Sequence, residues 1–551
     1  MANLGNINVL VGRNNSGKSS ILEALCFTKY ACNRRPTIFG DTLPMGLLRR
    51  RGMERSHYTV RNFWYNYDTK KNILLKLEFK NGEKLNVEIR WDSDERYTVY
   101  LQDPSGKLPI RVSEKYFSCV EENIHGPGYY PEVSDAFFQG YPQLHHYLNE
   151  LTLIDDYVAR KLERLEASTF SRILEPRLDK TIVKESNFIY EMKAEGISFL
   201  PTSPTSAAFR LSIAEPERSL HIDELGDGTK YAMTILSLCL LLENSALLVE
   251  EIESHQHPGA LKKLLPSIAK IAHEKNVQLF ITTHSLEVIQ TLASLPKEYD
   301  VRFFHVERSS DGILTARLLL AIDVKLLSDL GVDIRNLEMF KRFVVVEGKH
   351  DKIFVESLLR RYGKGIEDVG YVVVAGGRNS VKNTSVTLVS ARKDVIVMLD
   401  YDTDNKDSLM KSICDALKGR NYNISRDENT ILISGGPRVI VLPMGLPEDE
   451  TLKGAGITSH SMEDYCLKLI ELDKNLMHVT LKSLVDDAKK ARLEGFNKSE
   501  VILKTLALKK GMEYEDVIRY VVERADKGKL EKVIGAIKEA LTTYPPYPLL
   551  S

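Results

Sequence analysis

Residues 7–11, INVLV, form a short apolar run that passes directly into a glycine-containing turn. That pattern predicts a buried strand, and the periodic apolar positions of 19–27 predict a helix after it. The pattern changes to period two within residues 58–101. Leu75, Leu77 and Phe79 alternate with charged residues, Asn81-Gly82 follows, and Leu85, Val87, Ile89 and Trp91 alternate again. This is a β-hairpin pattern with a type I′ turn, and it gives the first half of the chain an antiparallel sheet. Residues 144–196 return to helical spacing, with Leu148, Leu151, Ile154 and Val158 in phase and a break at Pro176. They predict an amphipathic insert that serves as an arm or dimer interface, or packs on its own domain.

Residues 232–250 are strongly apolar and end in a buried-type strand at 246–249; a second such strand spans 278–282. Residues 306–340 read as a connector. A new α/β region begins at 343–346, where strands at 371–374 and 395–399 alternate with helical stretches, implying parallel strands with crossover helices. The tail after 470 is mainly helical and charged. No internal repeat or low-complexity tract interrupts the chain.

A chain of 551 residues is expected to form two to four domains. Its 75 Lys and Arg against 76 Asp and Glu give a net charge of −1, which excludes a generally basic DNA-coating protein. A local basic groove is still compatible with that balance. The six cysteines, Cys26, Cys32, Cys119, Cys239, Cys414 and Cys466, form no C-x-x-C pair, so zinc and redox motifs are unsupported. No signal-peptide pattern opens the chain, and the longest apolar run, 235–242, is too short to span a bilayer. A cytoplasmic protein without membrane contact is expected.

Two groups of residues carry chemistry. The first is Gly12-Arg13-Asn14-Asn15-Ser16-Gly17-Lys18-Ser19-Ser20, a P-loop set between the predicted strand and helix. Its glycines let backbone N–H groups wrap phosphates, Lys18 reaches the β- and γ-phosphates, and Ser19 ligates Mg²⁺. ATP with one Mg²⁺ is the expected ligand. The apolar strand 246–249 ends in Glu250-Glu251, a Walker B pattern in which Glu250 holds Mg²⁺ through water and Glu251 polarises the attacking water. Glu253, His255, Gln256, His257 and Pro258 follow. His284, directly after strand 278–282, is placed to sense the γ-phosphate. Leu225-Gly226-Asp227-Gly228-Thr229-Lys230, lying between P-loop and Walker B, resembles the signature motif of ABC-type ATPases. The resemblance makes Gly226 and Gly228 nucleotide contacts across a pair of heads.

The second group is acidic. Glu347-Gly348 ends an apolar strand, and Asp351 lies four residues beyond Glu347 in the first helical turn, able to point back. Asp400 and Asp402, at i and i+2, project to one face after another apolar strand. Carboxylates at one sheet edge repel unless a cation joins them, and oxygen ligands favour Mg²⁺ or Mn²⁺. Two such ions clamp the attacking and leaving oxygens of a phosphodiester.

This set, with Val374-Ala375-Gly376-Gly377-Arg378-Asn379 between its halves, resembles a Toprim domain. An ABC-type head followed by Toprim resembles the OLD (overcoming lysogenization defect) family of ATP-dependent nucleases, which includes the Gabija nuclease subunit. The resemblance covers nearly the whole chain. It implies an α/β protein: an ABC-type P-loop ATPase head over 1–335 with a helical dimerisation insert at about 144–205, a Toprim domain over 336–470, and a helical C-terminal region over 471–551. It further implies a homodimer or higher homo-oligomer that acts on DNA, two metal ions at the Toprim site, and a helicase-like or other defence partner protein. Glu347, Asp351, Asp400 and Asp402 become metal ligands. In Ser461-Met462-Glu463-Asp464, Glu463 becomes the second-metal ligand. Lys468 or Lys482 becomes the basic residue at the scissile phosphate, and spacing does not choose between them.

Two departures stand out. Only eleven residues precede the P-loop, fewer than the strand pair usual in the family, which leaves the contacts to the base unassigned. Walker B also carries Glu250 where ABC proteins have Asp. The leading expectation is therefore an ATP-dependent, metal-dependent DNA endonuclease in antiphage defence or DNA repair. The competing one is a non-nucleolytic, SMC-like ATPase clamp on DNA ends. Topoisomerase chemistry lacks a nucleophilic tyrosine, because Tyr401 lies inside the metal motif.

Overall fold

The computed structural model describes residues 3–32, 70–79, 82–93, 96–102, 110–113, 142–155, 177–203, 206–214, 217–309, 311–340, 342–361, 371–400, 403–495 and 497–542. The chain divides into two compact units, Met1–Val324 and Lys325–Ser551.

The first unit is built on a six-stranded sheet of order β13-β12-β1-β11-β10-β6. Its members are β1 (Ile7–Val11), β6 (Thr152–Ile154), β10 (Ala246–Val249), β11 (Gln278–Thr282), β12 (Val301–Arg308) and β13 (Leu314–Leu320). All neighbours run parallel except β12 and β13. The three apolar runs near the P-loop and Walker B residues are therefore the central strands, which reflects burial on both faces. Helix α1 (Lys18–Cys32) packs Leu22, Cys26 and Phe27 into a core with Leu10, Leu248 and Phe280.

A second, antiparallel sheet joins β2 (Ile73–Glu78), β3 (Lys84–Ser93), β4 (Arg96–Gln102) and β5 (Ile110–Ser113) in sequence order. The alternating residues Leu85, Val87 and Ile89 enter the same core as α1. The hairpin thus pairs as its alternation predicts, from Glu78↔Lys84 onward. Asn81 of the expected turn lies outside the described residues.

Three expectations change. The helical periodicity read through Val158 holds only for α2 (Pro142–Glu150). Thr152–Ile154 is instead the edge strand β6, drawn into the sheet beside β10, so Ile154 is buried by sheet packing rather than by a helical stripe, while Leu151 still donates its N–H to Tyr147 O at 3.1 Å at the end of α2. Val158 lies outside the described residues. Further along, α3 (Leu178–Tyr190) is helical, but β7 (Ala194–Ser203), β8 (Ser206–Ile213) and β9 (Arg218–His221) form a small antiparallel sheet. Residues 306–320, read as part of a connector, complete the first sheet through the β12–β13 hairpin. The remaining helices are α4 (Asp227–Leu241), α5 (Pro258–Glu274) and α6 (Leu286–Ala293).

The second unit has a sheet of order β15-β14-β16-β19-β18-β17. β14 (Arg342–Val346), β15 (Tyr371–Val374), β16 (Asp394–Asp400) and β19 (Arg438–Met444) are parallel; β17 (Ile424–Arg426) and β18 (Thr430–Ile433) complete it antiparallel. One face carries α7 (Lys349–Arg361) and a C-terminal set of helices: α8 (Glu463–Leu472), α9 (Leu481–Lys490), α10 (Ser499–Lys510) and α11 (Tyr514–Arg524). Val344, Val346, Ile396 and Met398 share a core with Phe354, Leu358, Leu467, Leu503 and Val517 on those helices. The alternate residues Phe343, Val345, Val395 and Val397 are also fully buried and turn to the other face. Among the described residues no helix is long and apolar enough to cross a membrane.

Candidate functional site

The P-loop is held by its own backbone. Gly17 has φ +98°, a conformation that favours glycine, and a Cβ there would also push on the Leu314 side chain, whose Cδ2 would lie 2.6 Å away. Asn15 is also left-handed, at φ 62°, a conformation asparagine tolerates. The Lys18 ammonium is buried and donates to the carbonyls of Gly12 at 3.0 Å and Arg13 at 2.9 Å, which holds the charge inside the loop. The Ser16 hydroxyl is buried without a hydrogen-bond partner. Ser19 and Ser20 occupy the first turn of α1, at the positive end of the helix. A charged ammonium, an unsatisfied donor and a helix N-terminus around one loop fit a bound polyphosphate.

The strand ends beside it carry the Walker B acids. Glu250 follows β10; its N–H donates to Ile154 O at 2.9 Å and its carbonyl accepts from the Tyr231 hydroxyl at 2.7 Å. Glu251 has left-handed backbone at φ 48°, and its N–H donates to Thr282 Oγ1 at 2.9 Å. The His284 N–H donates to Glu253 Oε1 at 2.5 Å, which links the loops after β10 and β11. Gly226 caps α4. Gly228 accepts from Gln256 Nε2 at 2.5 Å, and a Cβ on it would lie 2.4 Å from His255 O. Tyr190 OH sits 2.7 Å from Gln256 Oε1. The first turn of α4 and the loop after Walker B are therefore locked together within one head. Sequence reasoning gave no role to Thr282, Glu253, Gln256 or Tyr190, because their partners lie far away along the chain.

In the second unit the acids gather at the C-terminal ends of β14 and β16. The Gly348 N–H donates to Asp351 Oδ2 at 2.9 Å and turns that side chain back toward the strand end. Burial pushes the Asp351 carboxyl up to about 7, with the charges of Glu463, Glu347 and Glu500 acting the same way and the Gly348 N–H opposing. Asp400 also rises to about 7, through desolvation and then the charges of Asp351, Glu463 and Glu347, against a hydrogen bond from the Met462 backbone. Each aspartate senses the same glutamates, so Glu347, Asp351, Asp400 and Glu463 form one cluster. Asp402 lies outside the described residues.

Glu463, at the start of α8, is buried and accepts from Ser461 Oγ at 2.7 Å and the Tyr514 hydroxyl at 2.6 Å. Its neighbour Asp464 is a structural hub instead, accepting from Leu446 N at 2.7 Å and lying 2.8 Å from His460 Nδ1. Lys468 pairs with Asp449 at 2.8 Å and donates to Thr451 Oγ1 at 2.9 Å. Tyr514 was missed in the sequence, since a tyrosine opening an amphipathic helix carries no local signal. All four acids offer carboxylate oxygens, the donor type that a divalent cation such as Mg²⁺ or Mn²⁺ prefers.

The strand–loop–helix geometry, the Walker B strand and the parallel sheet around them define the first unit as a P-loop ATPase head. The AAA_21 family model, an AAA domain of the AbiEii toxin, Type IV TA system description, matches residues 7–290. The chain belongs to this family. A domain described only as a protein of unknown function, DUF3226, matches residues 341–514. The chain is 21% identical over 325 residues to an ATP/GTP phosphatase of Helicobacter pylori, covering 53% of this chain and 83% of that one. It is 26% identical over 237 residues to the Escherichia coli protein "Retron Ec83 probable ATPase", covering 39% of this chain and 43% of that one. Among solved structures, an SMC head bound to the C-winged helix domain of ScpA aligns at 12% identity and TM-score 0.32, covering 57% of this chain and 91% of its own.

Proposed function

We propose that the chain is an ATP-dependent DNA endonuclease of the OLD type, in which the P-loop head controls a Toprim-like metal centre in the second unit. The observation that carries this reading is the convergence of Glu347, Asp351, Asp400 and Glu463 at the C-terminal strand ends, where α/β sheets place their ligands. In the head, Lys18 and Ser19 hold the nucleotide, Glu251 orients the attacking water, and His284 reports on the γ-phosphate. Gly226 and Gly228 of one copy cap the nucleotide of another, so the working form is a homodimer or larger. In the second unit, bound divalent cations supply Lewis-acid polarisation of a phosphodiester. Glu347, Asp351, Asp400, Asp402 and Glu463 would hold those ions and so fix where the DNA backbone lies. Antiphage defence or DNA repair, with a helicase-like or other partner protein, is the setting carried over from the family it resembles.

Plasmid cleavage tests the reading. The wild type should cut or nick DNA with Mg²⁺ or Mn²⁺, and Asp400→Ala should not. Cleavage that survives Asp400→Ala would refute the acidic cluster as the catalytic centre. No cleavage by the wild type, with or without ATP, would favour an ATPase clamp on DNA ends.

A further inference from the structure

Glu463 has both carboxylate oxygens occupied by protein donors. Ser461 Oγ lies 2.7 Å from Oε2, and Tyr514 OH lies 2.6 Å from Oε1. The second contact joins residues 51 apart, so it depends on how α11 packs beside α8. The Tyr514 ring is itself clamped. The His350 ring meets it edge-on with centroids 4.7 Å apart, and the Lys504 ammonium lies 5.4 Å from its centroid. Lys349 anchors the next residue, Glu515, through a 2.7 Å ion pair. His350 immediately precedes Asp351 on α7. One phenol ring therefore touches both helices that bear acids of the cluster, α7 through His350 and α8 through Glu463. A carboxylate left to rotate among other acids would turn away from them; a donor on each oxygen holds it facing the cluster.

We infer that Tyr514 is a positioning residue for a divalent cation: its hydroxyl orients the Glu463 carboxylate, and its ring sets the spacing between Glu463 and Asp351. The inference rests on the metal-centre reading of this cluster. Donors behind a metal-binding carboxylate typically alter metal affinity by about 10- to 100-fold. Tyr514→Phe keeps the ring contacts and removes only the donor, while Ser461→Ala removes the other donor.

Mn²⁺ titration of the full, nucleotide-free chain, followed by electron paramagnetic resonance, separates this inference from the reading beneath it. Wild type should bind Mn²⁺, Asp351→Asn should lose the site, and Tyr514→Phe should bind about tenfold more weakly, with unchanged far-UV circular dichroism. Wild-type affinity in Tyr514→Phe, with the site lost in Asp351→Asn, would overturn the role of Tyr514 and leave the metal centre standing. No Mn²⁺ binding by the wild type would overturn both. If Tyr514→Phe does not fold, Ser461→Ala carries the test: a weaker Kd supports donor control of Glu463, and an unchanged one overturns it.

Discussion

Asp351 gives the sharpest stability prediction. Its carboxyl holds a proton to about pH 7 in the folded chain but releases it near pH 4 once unfolded. Between those values the folded state binds a proton that the unfolded state does not, so stability is greater at the acid end and falls as pH rises toward 7. Each pH step costs about 1.4 kcal/mol, which makes about 3 kcal/mol from pH 5 to pH 7. Solvent screening at a partly exposed site reduces that to about 2 kcal/mol. For a unit of this size the loss corresponds to a melting point about 4–8 °C lower. Asp351→Asn removes the titrating group and one of the charges that raises Asp400. In EDTA, thermal melts of the wild type should therefore drop between pH 5 and pH 8 more steeply than those of Asp351→Asn. Mg²⁺ or Mn²⁺ at pH 8 should restore the wild type and leave the variant unmoved. Parallel pH profiles for the two proteins would refute the argument that burial, reinforced by the neighbouring acids, raises the Asp351 carboxyl.

Other expectations follow from the head. Glu251→Gln should leave ATP binding intact and slow turnover by about 100-fold or more, as for loss of a general base; unchanged turnover would reassign the base. Gly228→Ala places a Cβ against the His255 carbonyl and should weaken the lock between the first turn of α4 and the loop after Walker B, lowering the melting point and ATP turnover together. Gln256→Leu removes the donor to the Gly228 carbonyl and should lose about 1–3 kcal/mol in a denaturant melt; an unchanged midpoint would show that contact to be dispensable.

Much of this was legible in the sequence because it is local. The strands 7–11, 246–249 and 278–282 are continuous apolar runs, and the chemistry hangs from their ends in contiguous motifs. Glu347, Asp351 and Asp400 were legible for the same reason. What escaped depends on contacts between distant segments. Ile154 fits a helical stripe as well as a strand, and only pairing with β10 decides for the strand. The end of β12 and all of β13 read as a connector, although β12 pairs with β1 at the other end of the unit and β13 pairs back on β12. Tyr514 acquires meaning only through Glu463, 51 residues away. Lys468, which with Lys482 was a candidate basic residue, pairs with Asp449, a contact that spacing along the chain does not announce.

The central claim is that two separable phosphate-handling sites share one chain. The most direct measurement is ATP turnover and DNA cleavage by wild type, Lys18→Ala and Asp400→Ala under one set of conditions. The account predicts that Lys18→Ala abolishes ATP turnover and that Asp400→Ala abolishes cleavage while ATP turnover stays at the wild-type rate. Equal loss of ATP turnover in both variants would contradict it.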